Sequence, residues 1–235
     1  MKSPKNTLFY LGLVVASIIF LVLEFVTHVE FLFHLAVLPL EALVVIFVIE
    51  RLLAREEANK RRRLLMYIKS TLFRSEMRNL FLSNFAALKS PRITMDMVRR
   101  ADLAELRRMR QEAEHIEYRS AEAMEPVILE YVKARGVWMN FMNRAIEFDF
   151  EEIFNDMIFI LHFISDVASF KEHHPDKMFV HEAQGREDLM KKARKVLEDG
   201  IHAFLDYCLE LKEVQPAVFQ DMMSDYEVSA HLRGQ

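Results

Sequence analysis

The sequence predicts an all-α protein in two styles: a two-span transmembrane helical hairpin, then a long juxtamembrane helix leading into a cytoplasmic helical bundle. Three observations carry that expectation. Residues 8–49 are an almost unbroken run of Leu, Val, Ile, Phe and Ala. Only five Gly and six Pro occur in 235 residues, which leaves little material for β-turns. Beyond the run, apolar residues recur every three or four positions, the period of a helix with one buried face.

The apolar run is too long for one crossing. Bilayer hydrocarbon is about 30 Å thick and a helix rises about 1.5 Å per residue, so roughly 20 residues span it once. Two spans are expected, residues 8–26 and 31–49, with residues 27–30 as the turn because polar residues cluster there. Lys2 and Lys5 before an apolar stretch resemble the start of a secretory signal, but no small-x-small cleavage site follows at Glu24 and Phe25. Arg51, Arg55, Lys60, Arg61, Arg62 and Arg63 flank the second span, and the turn has no Lys or Arg. The positive-inside rule then puts both termini in the cytoplasm of a multi-pass inner-membrane protein of prokaryotic kind.

Polar residues inside an apolar span are the first functional candidates. Glu41 falls within a residue of the middle of the second span, where a carboxylate costs about 2.5 to 3.5 kcal/mol to insert. Equal depth on antiparallel spans pairs Ser17 with Glu41 and Glu24 with His34. Glu41 is then either neutral and hydrogen-bonded, to Ser17 or to a carbonyl loosened by Pro39, or turned to the axis of an oligomer as part of a carboxylate ring. Gly12 and Ala16, four apart, allow another helix to approach closely. His28 and Glu30 lie at the outer rim. Together with Glu24 and His34 they contain metal-ligand residue types, but interfacial hydrogen bonding accounts for them, and no metal or other cofactor is expected.

Charge divides the remainder. Residues 51–78 carry nine Lys or Arg against three Glu, and residues 79–235 carry twenty against twenty-eight acidic residues. The basic stretch opens a juxtamembrane helix over residues 51–90 that meets anionic lipid head groups at about 1 kcal/mol per basic residue. No Gly or Pro interrupts residues 40–90 until Pro91. The cytoplasmic domain is residues 91–235. Thr94 and Asp102 are expected helix caps, the second opening an arginine-rich helix to about Met124; Pro126 is expected in the first turn of the next helix, and Gly136 marks a break or close contact. Asp149 is expected to cap residues 150–170, the most apolar helix of the domain and its expected core. Its longest uncharged run, residues 157–165, is too short to cross a bilayer. A polar loop through residues 173–176 leads to helices at 186–212 and 216–228, with a frayed end after Ala230. Trp138 and Phe141, on one helical face, are a candidate subunit contact.

No glycine-rich phosphate loop, nucleophile elbow, paired-cysteine or zinc-protease motif is present. Cys208 is the single cysteine, so no internal disulfide forms. Arg110 and His115 form R-x4-H, which resembles the signature of HEPN-type ribonucleases, all-helical proteins in which such a pair from each of two subunits acts on RNA. Gln111 follows the arginine where that family usually has Asn, Asp or His. The resemblance implies Arg110 and His115 as catalytic, yet the acidic domain makes nucleic acid a poor partner. Glu112 and His115 have di-iron spacing without the required second motif. The leading expectation is a homo-oligomeric ion-conducting assembly with the bundle as its assembly or gating module. The alternatives are an accessory or scaffold subunit of a larger membrane complex and an anchored ribonuclease. The expected partners are anionic lipid and either further copies or another membrane protein.

Overall fold

The computed structural model describes residues 4–147 and 150–232 and is all-helical apart from one two-stranded ribbon. Asp149, the expected cap, lies outside the described residues. Backbone contacts divide the chain into two units, Met1–Leu64 and Leu65–Gln235.

In the first unit, α1 (Pro4–Thr27) and the N-terminal part of α2 (Glu30–Thr71) are joined by His28 and Val29 alone. His28 takes a left-handed conformation, φ 55°, while its N–H still bonds the Glu24 carbonyl at 2.7 Å. That residue ends α1 as a glycine commonly would, and the chain reverses within two residues. α2 then continues through Pro39 and the whole basic stretch. Among the described residues of this unit, Ser17 and Ala36 are buried. The less exposed positions of α1 are Tyr10, Leu13, Ala16, Phe20 and Glu24, and those of α2 include Leu32, Pro39, Leu43, Ile46 and Glu50. Steps of three and four residues mark a heptad-like seam between two helices. Most positions off the seam are exposed and apolar, Phe25 at 77% and Val26 at 71% accessible, and His34 and Glu41 are among the polar exceptions.

The second unit begins with the last residues of α2, which then breaks. Residues Leu72–Glu76 form one π-helical turn, in which Met77 N–H reaches back five residues to Leu72. A π-turn releases carbonyls from the regular ladder, and donors come from both the far end of the chain and the next helix. The Tyr226 hydroxyl donates to the Phe73 carbonyl at 2.6 Å, and the Arg78 guanidinium donates to the Arg74 carbonyl and to Ser229. α3 (Arg78–Ala87) follows, then β1 (Leu88–Ser90), α4 (Met95–Arg100) and α5 (Leu103–Glu112). Thr94 caps α4, and Asp102 with Glu105 forms a reciprocal capping box on α5.

The arginine-rich helix is shorter than the sequence suggested. It stops at Glu112, and β2 (Glu117–Tyr118) pairs antiparallel with β1 before Ser120 caps α6 (Ala121–Lys133). Arg and Glu are good helix formers, but an N-cap serine and the half-buried Tyr118, whose hydroxyl donates to Asn84, outweigh them. Pro126 sits in the second turn of α6 rather than the first, and the break before α7 (Arg135–Glu147) falls at Ala134 rather than Gly136. α8 is Glu151–His173, the expected loop contains the short α9 (Phe179–Gln184), and α10 (Glu187–Val214) and α11 (Pro216–Leu232) complete the unit, α11 running past the expected frayed start at Ala230.

The centre is α10, not the more apolar α8. Residues such as Val196, Leu197, Ile201, Phe204, Leu205 and Cys208 line one broad buried face of α10, which packs on α3, α5, α6, α8, α9 and α11. Mean apolarity misled here: a central helix needs a wide apolar stripe, and charges on its remaining face cost nothing. Phe73, Phe81, Phe85, Tyr207 and Tyr226 gather around Phe204 or its neighbours with ring centroids 4.8 to 6.3 Å apart. α8 contributes Met157, Phe163, Ile164 and Val167, while Asp156, Ser165, Asp166 and Ser169 on it are exposed.

Three helical stretches are long and apolar enough to cross a membrane: Tyr10–Thr27, Glu30–Glu76 and Ile153–His173. The third is α8, which the shorter uncharged run had ruled out in the sequence.

Candidate functional site

The intramembrane candidates are positioned by α1 and α2. Ser17 does not reach Glu41: its hydroxyl donates to the Ala36 carbonyl at 2.7 Å. The physical reason is register: Ser17 stands opposite Ala36, five residues before Glu41 on α2, and the carbonyl that Pro39 leaves without a helical donor is that of the neighbouring Leu35. Glu41 is exposed and makes no hydrogen bond or ion pair among the described residues. Glu24 is half-buried and His34 exposed, and neither hydrogen bond nor ion pair joins them. His34 and Glu41, seven residues apart on α2, share one outward stripe with Leu38 between them. Tyr10 hydroxyl donates to the Glu50 carboxylate at the open end of the seam. Gly12 is exposed, with nothing within 4 Å of where a Cβ would stand, and Ala16 is half-exposed, so the helix contact made within this unit is Ser17 to Ala36.

Arg51, Arg55, Lys60, Arg61, Arg62 and Arg63 lie on a stretch of α2 exposed on every side, as are Leu52 and Leu53 between them. Arg61 pairs with Glu57 at 3.1 Å, one turn earlier.

In the second unit the R-x4-H pair is separated by structure. Arg110 is inside α5, and its Nε donates to Asp206 at 2.8 Å. His115 lies past the helix end with an exposed ring. Trp138 and Phe141 are buried, 7% and 6% accessible, and Trp138 stacks on Tyr131 at 5.6 Å, so neither is available as the subunit contact their spacing suggested. Burial pushes the Cys208 thiol well up, which removes it as a nucleophile.

Three polar arrangements were not foreseen. Glu125, 4% accessible, accepts the N–H groups of Phe179 and Val180 at 3.1 and 3.0 Å and pairs with Lys171 at 2.7 Å. It caps α9 from another helix, a long-range partnership that no local motif announces. Asn84 is fully buried, donating to the Leu197 carbonyl at 2.8 Å and accepting from Tyr118 at 3.1 Å. The Tyr131 hydroxyl donates to the Val196 carbonyl at 3.0 Å beside Gly200, whose missing side chain admits it. Beside these lies a cavity of about 980 Å³ among α3, β1, α4 and α11, with an apolar wall and basic residues at its edge. Among the described residues no group of three His, Cys, Asp or Glu side chains is disposed to hold a metal ion. No protein-family model, curated protein or solved structure matches this chain.

Proposed function

We propose that the chain is an inner-membrane protein with both termini cytoplasmic, whose first two helices form a two-span hairpin and whose copies assemble around an ion path, with the second unit as a cytoplasmic assembly or gating module. The observation that carries this reading is Glu41. It stands about 16 Å along α2 from Glu30, near the middle of a hydrocarbon layer about 30 Å thick. Yet it lies off the Ser17–Ala36 seam, exposed and without a partner. A carboxylate there does not face lipid at equilibrium. A second copy that covers the His34–Glu41 stripe and repeats it about a symmetry axis supplies both a polar surround and a ring of carboxylates.

The apolar belt supports the membrane part of the reading, because a soluble protein does not expose Leu, Val, Ile and Phe over two whole helices. The exposed Arg and Lys of residues 51–63 suit anionic head groups. α8 belongs to the bundle in this reading despite its length, since the residues it exposes are Asp, Ser and Asn rather than the Leu and Phe that lipid would face.

Flux of a monovalent cation into phosphatidylcholine vesicles carrying the purified chain tests the reading. The wild type conducts, and Glu41→Gln lowers flux at least tenfold. No wild-type flux, or equal flux in the variant, rejects the ion path.

A second reading has one observation of its own: Gly12 is exposed with open space around it, a place for a foreign helix to approach. It makes the chain an accessory subunit. Native mass spectrometry of gently extracted membranes separates the two, since identical copies alone support the first and a different polypeptide in fixed ratio supports the second. The ribonuclease reading has less support, because Arg110 is engaged by Asp206 and the exposed His115 ring has no side-chain partner among the described residues.

A further inference from the structure

The cavity in the second unit is independent of the ion-path reading and has its own chemistry. Leu82, Phe85 and Ala86 of α3 and Met223 of α11 form its apolar wall. Its volume of about 980 Å³ is at the upper end of the roughly 300–1,000 Å³ typical of small-molecule sites. The edge is basic. Lys89, Arg92, Arg99 and Arg119 line it against two acidic groups, Asp96 and Glu227. This local excess of positive charge occurs in a unit whose residues 65–235 hold twenty-three Lys and Arg against twenty-nine Asp and Glu. The cavity is therefore a positive site on an acidic body.

Those four basic residues are not equivalent. Arg99 is held by Glu227 at 2.5 Å and lies 3.8 Å from Asp96, and Lys89 pairs with Glu117 at 3.0 Å. Arg119 spends only its Nε, on the Leu88 carbonyl at 3.2 Å, which leaves the rest of its guanidinium without a described acceptor. Arg92 is exposed and has no acceptor among the described residues. Two guanidinium groups with unused donors thus flank an apolar wall. A planar fork of N–H groups binds carboxylate or phosphate oxygens bidentately, and an apolar chain is what the wall would remove from water.

We propose that this cavity binds an anionic amphiphile, with its hydrocarbon chain on Leu82, Phe85 and Met223 and its carboxylate or phosphate head on Arg92 and Arg119. Neither an apolar peptide nor a neutral lipid would use the two open guanidinium groups. A free nucleotide would leave the apolar wall uncovered.

The full-length protein in nanodiscs of zwitterionic phosphatidylcholine is photolabelled with two probes of the same diazirine-bearing sixteen-carbon chain, one a free fatty acid and one a lysophosphatidic acid, and labelled peptides are located by mass spectrometry. Labelling of the cavity wall is read relative to labelling of α1, which the bilayer itself exposes to either probe. At least one probe is expected to label residues 82–86 or 222–223, and which one does so identifies the head as carboxylate or phosphate. Ala86→Phe, which fills the half-exposed wall position, removes that labelling, and Arg92→Ala with Arg119→Ala lowers it about tenfold. Arg92→Ala alone, an exposed residue with no bond to lose, gives a several-fold loss and guards against a folding defect in the double variant; Cys208 stays protected from thiol reagents in all three. Failure of both probes to label the wall overturns the proposal, as does wall labelling that survives Arg92→Ala unchanged.

Discussion

The two units of this chain bury opposite things. Among the described residues of Met1–Leu64 the buried ones are a serine and an alanine, and the surface of residues 10–49 is mainly Leu, Val, Ile and Phe. In Leu65–Gln235 the buried residues are mainly Phe, Tyr, Leu, Ile, Val, Met and Ala, and the surface is mainly Glu, Asp, Lys and Arg. The same physics gives both arrangements if the solvent differs, as the proposed reading has it. In water, removing apolar surface drives packing, so aromatic side chains crowd around Phe204. In hydrocarbon that drive would vanish, and helices would meet through small residues and hydrogen bonds to backbone, the kind of contact that Ser17 makes with Ala36. Arginine makes the same point. In the second unit Arg74, Arg78, Arg99 and Arg110 are fastened to acidic residues, hydroxyls or carbonyls, whereas most of residues 51–63 stand exposed on α2.

The contrast is broken most forcefully from the side of the second unit. Phe204→Ala removes the ring that touches Phe73, Phe81, Phe85 and Tyr226, and an aromatic deletion in a core costs about 3 to 5 kcal/mol. Cys208 reports the result without any added probe. Its thiol is buried and its ionisation suppressed, so thiol reagents modify the folded wild type slowly and the Phe204→Ala variant much faster. In the first unit a truncation of this kind has little effect, and charge is the sensitive perturbation. Ile19→Lys, at a position 52% accessible on α1, is expected to reduce membrane insertion by about 2.5 to 3.5 kcal/mol near the span centre. Equal insertion of variant and parent in a microsomal or vesicle insertion assay would mean that α1 does not meet lipid.

Much of the helical architecture was readable in advance because it depends on local periodicity and local caps. Thr94, Asp102 and Ser120 all accept backbone N–H groups three residues on, and two of these were expected from residue type alone. What escaped was long-range. The π-turn at Leu72–Glu76 is stabilised by Tyr226 and Arg78, of which one is about 150 residues away in sequence. The strand pair interrupts a stretch of strong helix formers because Leu88 and Tyr118 find one another across the fold. Ser17 and Glu41 stand out in the sequence as polar residues in an apolar run, but which residue Ser17 meets depends on the register of the two helices, and that register sets it against Ala36. The cavity is invisible in sequence for the same reason: its wall comes from α3 and α11, and its open guanidinium groups from the loop before α4 and the end of β2.

A finer test of close packing in the second unit uses Gly200. A Cβ there would stand 2.3 Å from the Tyr131 hydroxyl but 3.6 Å from the ring carbon that bears it. Gly200→Ala therefore collides with one oxygen and nothing else, and overpacking of this kind costs about 1 to 3 kcal/mol. Tyr131→Phe removes that oxygen at the cost of the bond to Val196. The two changes together are expected to be less destabilising than their separate effects summed, by about 1 kcal/mol or more in a double-mutant cycle on thermal or denaturant unfolding. Strict additivity would mean that the backbone of α10 moves aside and that the glycine is not required by the hydroxyl.

The smallest expected effect concerns Glu198, the residue after Asn84's acceptor Leu197 on α10, where burial raises the carboxyl above its ordinary value and His202 and Arg194 pull it partly back. The folded state then holds this proton to a higher pH than the unfolded chain does. The stabilisation that comes from holding the proton is complete below the unfolded-state value, near 4.5, and disappears as pH rises through the raised folded-state value. At neutral pH the group is an ionised carboxylate in a half-buried place, a net cost. Glu198→Gln removes both the slope and the cost. Against the parent, the variant is expected to gain relative stability as pH climbs from about 4 to 7, with the change concentrated just above the ordinary glutamate range. Only the difference between the two unfolding curves matters, because every other titrating group is common to both proteins. Parallel curves would mean that water reaches Glu198 freely, and a difference of opposite sign would mean that His202 and Arg194 outweigh burial there.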